Sequence, residues 1–319
     1  MRRRASGRVL LWLAALAALL LCGGQQDAAA QYLAPDLLAS VPITPLTVPP
    51  ASVCSSFAAH DVTTWRGALL FLDKGGRRIA WAREPSPSRI AGAIDLPRDA
   101  GLLIGLDHPC ETNELLGLAR SADATDLVTL ALRGDGKGGY QINAPECRSV
   151  PLLNPDGSRW CSGRIQSFTF SPDGSRFWAV VKGDTGGRTT TGMWKFDVRR
   201  TGRRAVAAVA VETLPFPRLP LEGHYEPRAL AWWPSGLLVA LDVDEASPDG
   251  GRGTPHVALV LLPWGGGQAP RVLIPRLARR YRVLDMADTP HTLYVLLERG
   301  DESASQSIAA IPKLYPTAQ

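Results

Sequence analysis

Five times along this chain a β-type run, a tight turn and a strongly apolar run follow one another, a repeat that leaves room for little but sheet. The clearest copy occupies residues 165–182, IQSFTFSPDGSRFWAVVK. An alternating run there ends in Ser171-Pro172-Asp173-Gly174, and a second run follows from Phe177. Proline presets φ for a turn and glycine accepts positive φ, so S-P-D-G between two β runs specifies a hairpin. Four further copies turn at Arg66-Gly67, His108-Pro109-Cys110, Pro234-Ser235-Gly236 and Asp288-Thr289-Pro290. Two more β-type runs trail the first four copies, as at 193–198 with 205–211 and at 256–262 with 271–274. Short strands punctuated this densely by Gly, Pro and Asp predict an all-β, repeat-built domain.

The stretch FTFSPDGSRFWAVV within the clearest copy resembles the repeat of TolB-type and WD40-like β-propellers. The good match covers that copy alone; the other four are degenerate versions of it. The resemblance implies four-stranded blades of about 40 to 50 residues arranged as a ring. Five blades are expected, with six as the alternative if the N-terminal segment belongs elsewhere. The fifth copy runs out of chain after residues 307–311, so residues 37–48 are expected to supply its outer strand and close the ring. Closure of this kind protects sheet edges that would otherwise pair with other chains. The expected organisation is a Pro-rich extended segment at 31–52 followed by one propeller domain at 53–319.

The first thirty residues read separately. Arg2, Arg3, Arg4 and Arg8 precede the apolar run VLLWLAALAALLL, and Ala28-Ala29-Ala30 follows. A basic segment, an apolar core of that length and an A-x-A site make a cleavable signal peptide over residues 1–30. The apolar run is shorter than the roughly 20 residues a membrane-spanning helix needs, so no span is expected in the mature chain. An uncleaved anchor and lipidation at Cys22 are the competing readings. The expected location is therefore periplasmic or secreted. Cleavage after Ala30 leaves 31 basic and 29 acidic residues, so most of the basic balance of the whole chain belongs to the leader. No clustered Lys/Arg face remains of the kind that binds nucleic acid.

Cys54, Cys110, Cys147 and Cys161 remain after cleavage, an even number suited to an oxidising compartment. Cys147 with Cys161 would close a loop of about fifteen residues, worth roughly 3 kcal/mol in the chain-entropy model. Cys54 with Cys110 would then pair across two faces, and other connectivities stay open. The strand tryptophans are expected in the core, while Trp160 and Trp264 fall in loops and are freer to bind.

Alternating strand direction sorts loops onto two faces. One face should collect His60 and Asp61, Asp99, Arg164 and Gln166, His224 with Glu226 and Arg228, Arg282, and the loops carrying Asp123 and Asp126, Asp184, the acidic run from Asp242 through Asp244 to Asp249, and Asp301-Glu302. Carboxylate clusters suit hard cations such as calcium, which takes about six to eight oxygen ligands. Asp61, Glu226, Asp242 and Asp244 are thus candidate ligands of a divalent cation, with His60 or His224 as a candidate base. The arrangement is similar to lactonase-type propellers, in which carboxylates at strand starts hold a channel metal. Those families also use Asn ligands, and Asn113, Asn143 and Asn154 fall at no matching position here. H-E-x-x-H and G-x-S-x-G are absent, and the Gly265-Gly266-Gly267 stretch precedes a strand where a phosphate loop needs a helix. The expected function is a binding module for a protein or small-molecule ligand. A metal-assisted lactone or ester hydrolase is the alternative, and a structural subunit of an envelope complex a further one.

Overall fold

The computed structural model describes residues 32–33, 43–47, 57–83, 86–97, 101–121, 124–136, 138–160, 163–185, 188–202, 204–221, 223–246, 252–264, 268–300 and 305–314. The leader at 1–30, Cys54 and Cys161 lie outside them. Strands β1 (Tyr32–Leu33) and β2 (Ile43–Pro45) precede a first sheet of β3 (Ala59–Trp65), β4 (Ala68–Asp73), β5 (Arg78–Arg83) and β6 (Ser86–Asp95). A second unit holds β7 (Leu102–Asp107), β8 (Leu115–Arg120) and β9 (Thr125–Leu130). The hairpin β10 (Leu132–Gly134) and β11 (Tyr140–Ile142) and a single 3₁₀ turn (Ala144–Glu146) lead from it to its outer strand β12 (Arg148–Leu153). The third unit is β13 (Arg164–Phe170), β14 (Arg176–Thr185), β15 (Arg188–Thr201) and β16 (Arg204–Pro215). The fourth is β17 (His224–Trp233), β18 (Gly236–Ala246), β19 (Arg252–Pro263) and β20 (Arg271–Arg279). The last is β21 (Tyr281–Asp288), β22 (Thr292–Arg299) and β23 (Gln306–Leu314), with β2 and β1 on the outer edge of β23.

Each unit is an antiparallel meander, and the innermost strands β3, β7, β13, β17 and β21 touch in that cyclic order, β21 returning to β3. The protein is a β-propeller, and its described strands make five blades. All five hairpins read from the turns are present. The trailing strands are longer than their apolar runs suggest, because backbone pairing continues past the buried segment into exposed residues such as Glu212 and Thr213.

Second strands read as unbroken apolar runs because both of their faces are covered. In β4, Leu70 and Leu72 face the second blade, while Leu69 and Phe71 face the fifth. In β18, Leu238 and Ala240 pack toward the fifth blade, and Leu237, Val239 and Leu241 toward the third. With a period of two and both faces apolar, the alternation that marks a half-exposed strand disappears. The core is accordingly a set of five inter-blade layers.

Two links tie outer edges together. Ile43–Pro45 pairs with Ser307–Ala309 of β23, and Thr47 then exchanges hydrogen bonds with Ser88 and Ile90 on β6, so this segment clasps the fifth blade to the first. The second link was unexpected: Leu152 and Leu153 of β12 pair in parallel with Ala208 and Val209 of β16 in the next blade. Trp160, read as a loop residue free to bind, is instead fully buried under this link, edge-on to Trp194 and Phe196. Trp264 keeps substantial exposure, its indole N–H donating to the Trp233 carbonyl. Cys110 and Cys147 are free thiols. No helix among the described residues is long and apolar enough to cross a membrane.

Candidate functional site

Every innermost strand carries a β-bulge at the same step. The pairing slips between Ala59 and Asp61, Leu103 and Gly105, Ile165 and Ser167, Pro227 and Ala229, and Val283 and Asp285. The extra residues are His60, Ile104, Gln166, Arg228 and Leu284. A bulge re-aims its side chain and ends regular pairing. Here all five bulge residues line one cavity of about 1090 Å³ at the mouth where the innermost strands begin. The opposite mouth, lined by His108, Asp107 and Asp288 among others, holds only about 70 Å³. The sorting of loops onto faces thus brings His60, Arg164, Gln166 and Arg228 together as expected.

The residues that follow the bulges do a different job. Asp61 accepts the Leu106 N–H at 3.1 Å, Asp285 accepts the Val62 N–H at 3.0 Å, and the Ser167 hydroxyl accepts the Leu230 N–H at 3.1 Å. Two residues further on, Asp107 accepts the Phe170 N–H at 2.7 Å and Thr169 the Trp232 N–H at 3.0 Å. Each side chain satisfies a backbone donor of the next innermost strand, so these polar groups staple neighbouring blades around the axis. Asp61 is buried, and its pKa is raised well above the usual carboxylate range, first by burial and then by the negative charge of Asp285. Asp285 is pushed up to about 8 and Asp107 to about 6, both chiefly by burial. The proximity of Asp285 to Asp61 favours holding a proton on the pair.

Glu226 and Asp61 do not occupy equivalent positions. Strand β17 starts three residues earlier than β3 relative to its bulge, so Glu226 lies about 10 Å along the strand from the Asp61 position, which in this blade is Ala229. Glu226 is spent on cations: Lys182 Nζ and an Arg228 amino nitrogen each stand 2.9 Å from its two oxygens. Burial works against its charge, but Lys182, Arg228 and the Gln166 amide together hold its pKa below the usual value. Asp242 takes Arg228 Nε at 2.9 Å and the Val283 N–H at 2.9 Å; burial nonetheless lifts its pKa. Arg282 reaches Asp242 at 3.6 Å and Asp244 at 4.0 Å. Among the described residues no group of three or more His, Cys, Asp or Glu could hold a metal ion. His60 lines the cavity with its Nε2 at 3.2 Å from the Ile104 carbonyl, and burial lowers its pKa, so it is neutral at pH 7. His224 is exposed at the start of β17.

Among the described residues no Asp or Glu lines the cavity, whose charged lining is Lys74, Arg120, Arg164, Lys182 and Arg228. Reading the residues in order misses Arg120 and Lys182, which come from second strands, and also Asp107 and Asp285. The one signal for those two is an Asp interrupting the apolar pattern of an innermost strand. No protein-family model and no curated protein matches this chain. Among solved structures, a glucose dehydrogenase is 12% identical over 85% of this chain and 99% of that one, with a TM-score of 0.40. A thermostable family-43 glycoside hydrolase is 12% identical over 84% and 93% of the two chains, with a TM-score of 0.44. Likeness at this level assigns no activity to this chain.

Proposed function

We propose that this protein is an exported, periplasmic or secreted ligand-binding propeller whose ligand seat is the cavity ringed by the five bulge residues. The observation that carries the reading is the cavity itself: about 1090 Å³, at the upper end of small-molecule sites, floored by side chains that the bulges turn inward. The TolB-type character of the repeat is part of the same proposal and rests on residues 165–182. The calcium-dependent hydrolase is the weaker reading, because a cation at Glu226 and Asp242 would have to displace Lys182 and Arg228, each already within 2.9 Å.

The test is a melting screen of the purified protein against small metabolites, repeated on Ile104→Trp, which fills the cavity from its floor. Hits that raise the melting temperature in the parent and vanish in the variant support the proposal. An absence of hits, or hits indifferent to Ile104→Trp, would sink it. A melting temperature lowered by chelator, with one calcium per chain by elemental analysis, would instead favour the hydrolase.

A further inference from the structure

Resting on the ligand-binding reading, we infer that the cavity selects a small anion bearing a carboxylate or a phosphate, whose oxyanion Arg120 and Arg164 take.

The argument starts from which cations are already engaged. Lys182 and Arg228 are neutralised by Glu226 and Asp242, and Lys74 pairs with Glu298 in the last blade. Arg120, at the end of β8, and Arg164, at the start of β13, also line the cavity, and among the described residues no carboxylate lies within ion-pair reach of either. Both are exposed, so they retain full charge. They come from adjacent blades, and among the described residues the lining holds no acid, so this described lining is electropositive on the side of the second and third blades. Two guanidinium groups offer the planar, multidentate donors that carboxylate and phosphate oxygens accept. A neutral ligand would leave both without a counter-charge.

The experiment is calorimetric titration of the purified protein with galacturonate, galactose 6-phosphate, sulfate and galactose. Expected is saturable binding of the two sugar acids, with galactose weaker by about tenfold or more, as for loss of a charge-assisted contact. Arg120→Gln and Arg164→Gln should each weaken both acids by about tenfold at unchanged melting temperature, and Arg133→Gln, on the β10–β11 hairpin, should change nothing. Preference for galacturonate over galactose 6-phosphate, or the reverse, identifies the oxyanion as carboxylate or phosphate. Galactose binding as tightly as its acids, or acids indifferent to both arginine variants, overturns the inference while leaving the cavity a ligand seat. Failure of all four compounds to bind overturns it as well, and the Ile104→Trp screen then reports on the cavity separately.

Discussion

At Asp285 a carboxylate on the propeller axis is tied to the Val62 N–H and the Ser167 hydroxyl, with the carboxylates of Asp61 and Asp107 close enough to repel it. A carboxyl group whose pKa rises on folding binds protons more tightly in the folded state, so its stabilisation is full at low pH and lost as pH climbs through the folded value. For Asp285 that value is about 8. His60 and His108, lowered by burial, act with the opposite sign but only below their ordinary range; Lys313, also lowered by burial, opposes the carboxylates, and the raised Cys110 thiol adds to them toward pH 9, so comparison with an Asp285 variant isolates the carboxylate's share. The melting temperature is therefore expected to fall by about 2–5 °C from pH 7 to pH 9. Asp285→Asn should flatten that slope, since the amide oxygen still accepts from Val62 and carries no charge. A slope unchanged in Asp285→Asn, followed by calorimetry, would assign the pH dependence elsewhere. Truncation has another effect: Asp61→Ala strands the buried Leu106 N–H and should cost about 1–3 kcal/mol in denaturant unfolding.

The bulged innermost strand is the element that separates site from staple, because one added residue sends its own side chain to the cavity and the next to the axis. Gly105 occupies the staple position of the second blade without a side chain. A Cβ there would stand 2.6 Å from the Phe168 ring and 2.7 Å from Asp61 Oδ2. The second blade leaves this position empty so that Phe168 can close against it, and Asp107 two residues later supplies the staple to Phe170. Gly105→Ala is expected to lower stability by about 1–3 kcal/mol through overpacking, read from the denaturant midpoint. The hairpins around these strands were legible in the sequence, since Pro, Gly and Asp act locally. The bulges were not: at His60 or Arg228 the local pattern is the same whether or not a residue is looped out, and only the partner strand shows the slip. Matching strand starts therefore set Glu226 against Asp61, where matching bulges sets Ala229.

For the whole molecule, stability depends on closing the ring. The last blade borrows Ile43–Pro45 as an outer strand, Thr47 reaches β6 of the first blade, and the Gln306 side chain bonds the Ala59 backbone across the same junction. Deleting residues up to 47 removes the clasp and bares the edge of β23. The shortened protein is expected to melt several degrees lower and to form concentration-dependent oligomers by edge pairing, measured by calorimetry and light scattering. An equally stable monomer would show that the inter-blade layers alone hold the ring. The sequence by itself determined the all-β class, the five hairpins and the closing role of an N-terminal strand, because turn chemistry and apolar runs are local and short loops leave few ways to connect such strands. Only the tertiary structure decided what the acids do. Whether a carboxylate meets a cation, a backbone N–H or a neighbouring blade's lysine depends on bulges and on strands more than forty residues apart, and that long-range pairing gave the expected cation site, among the described residues, a lining of cations.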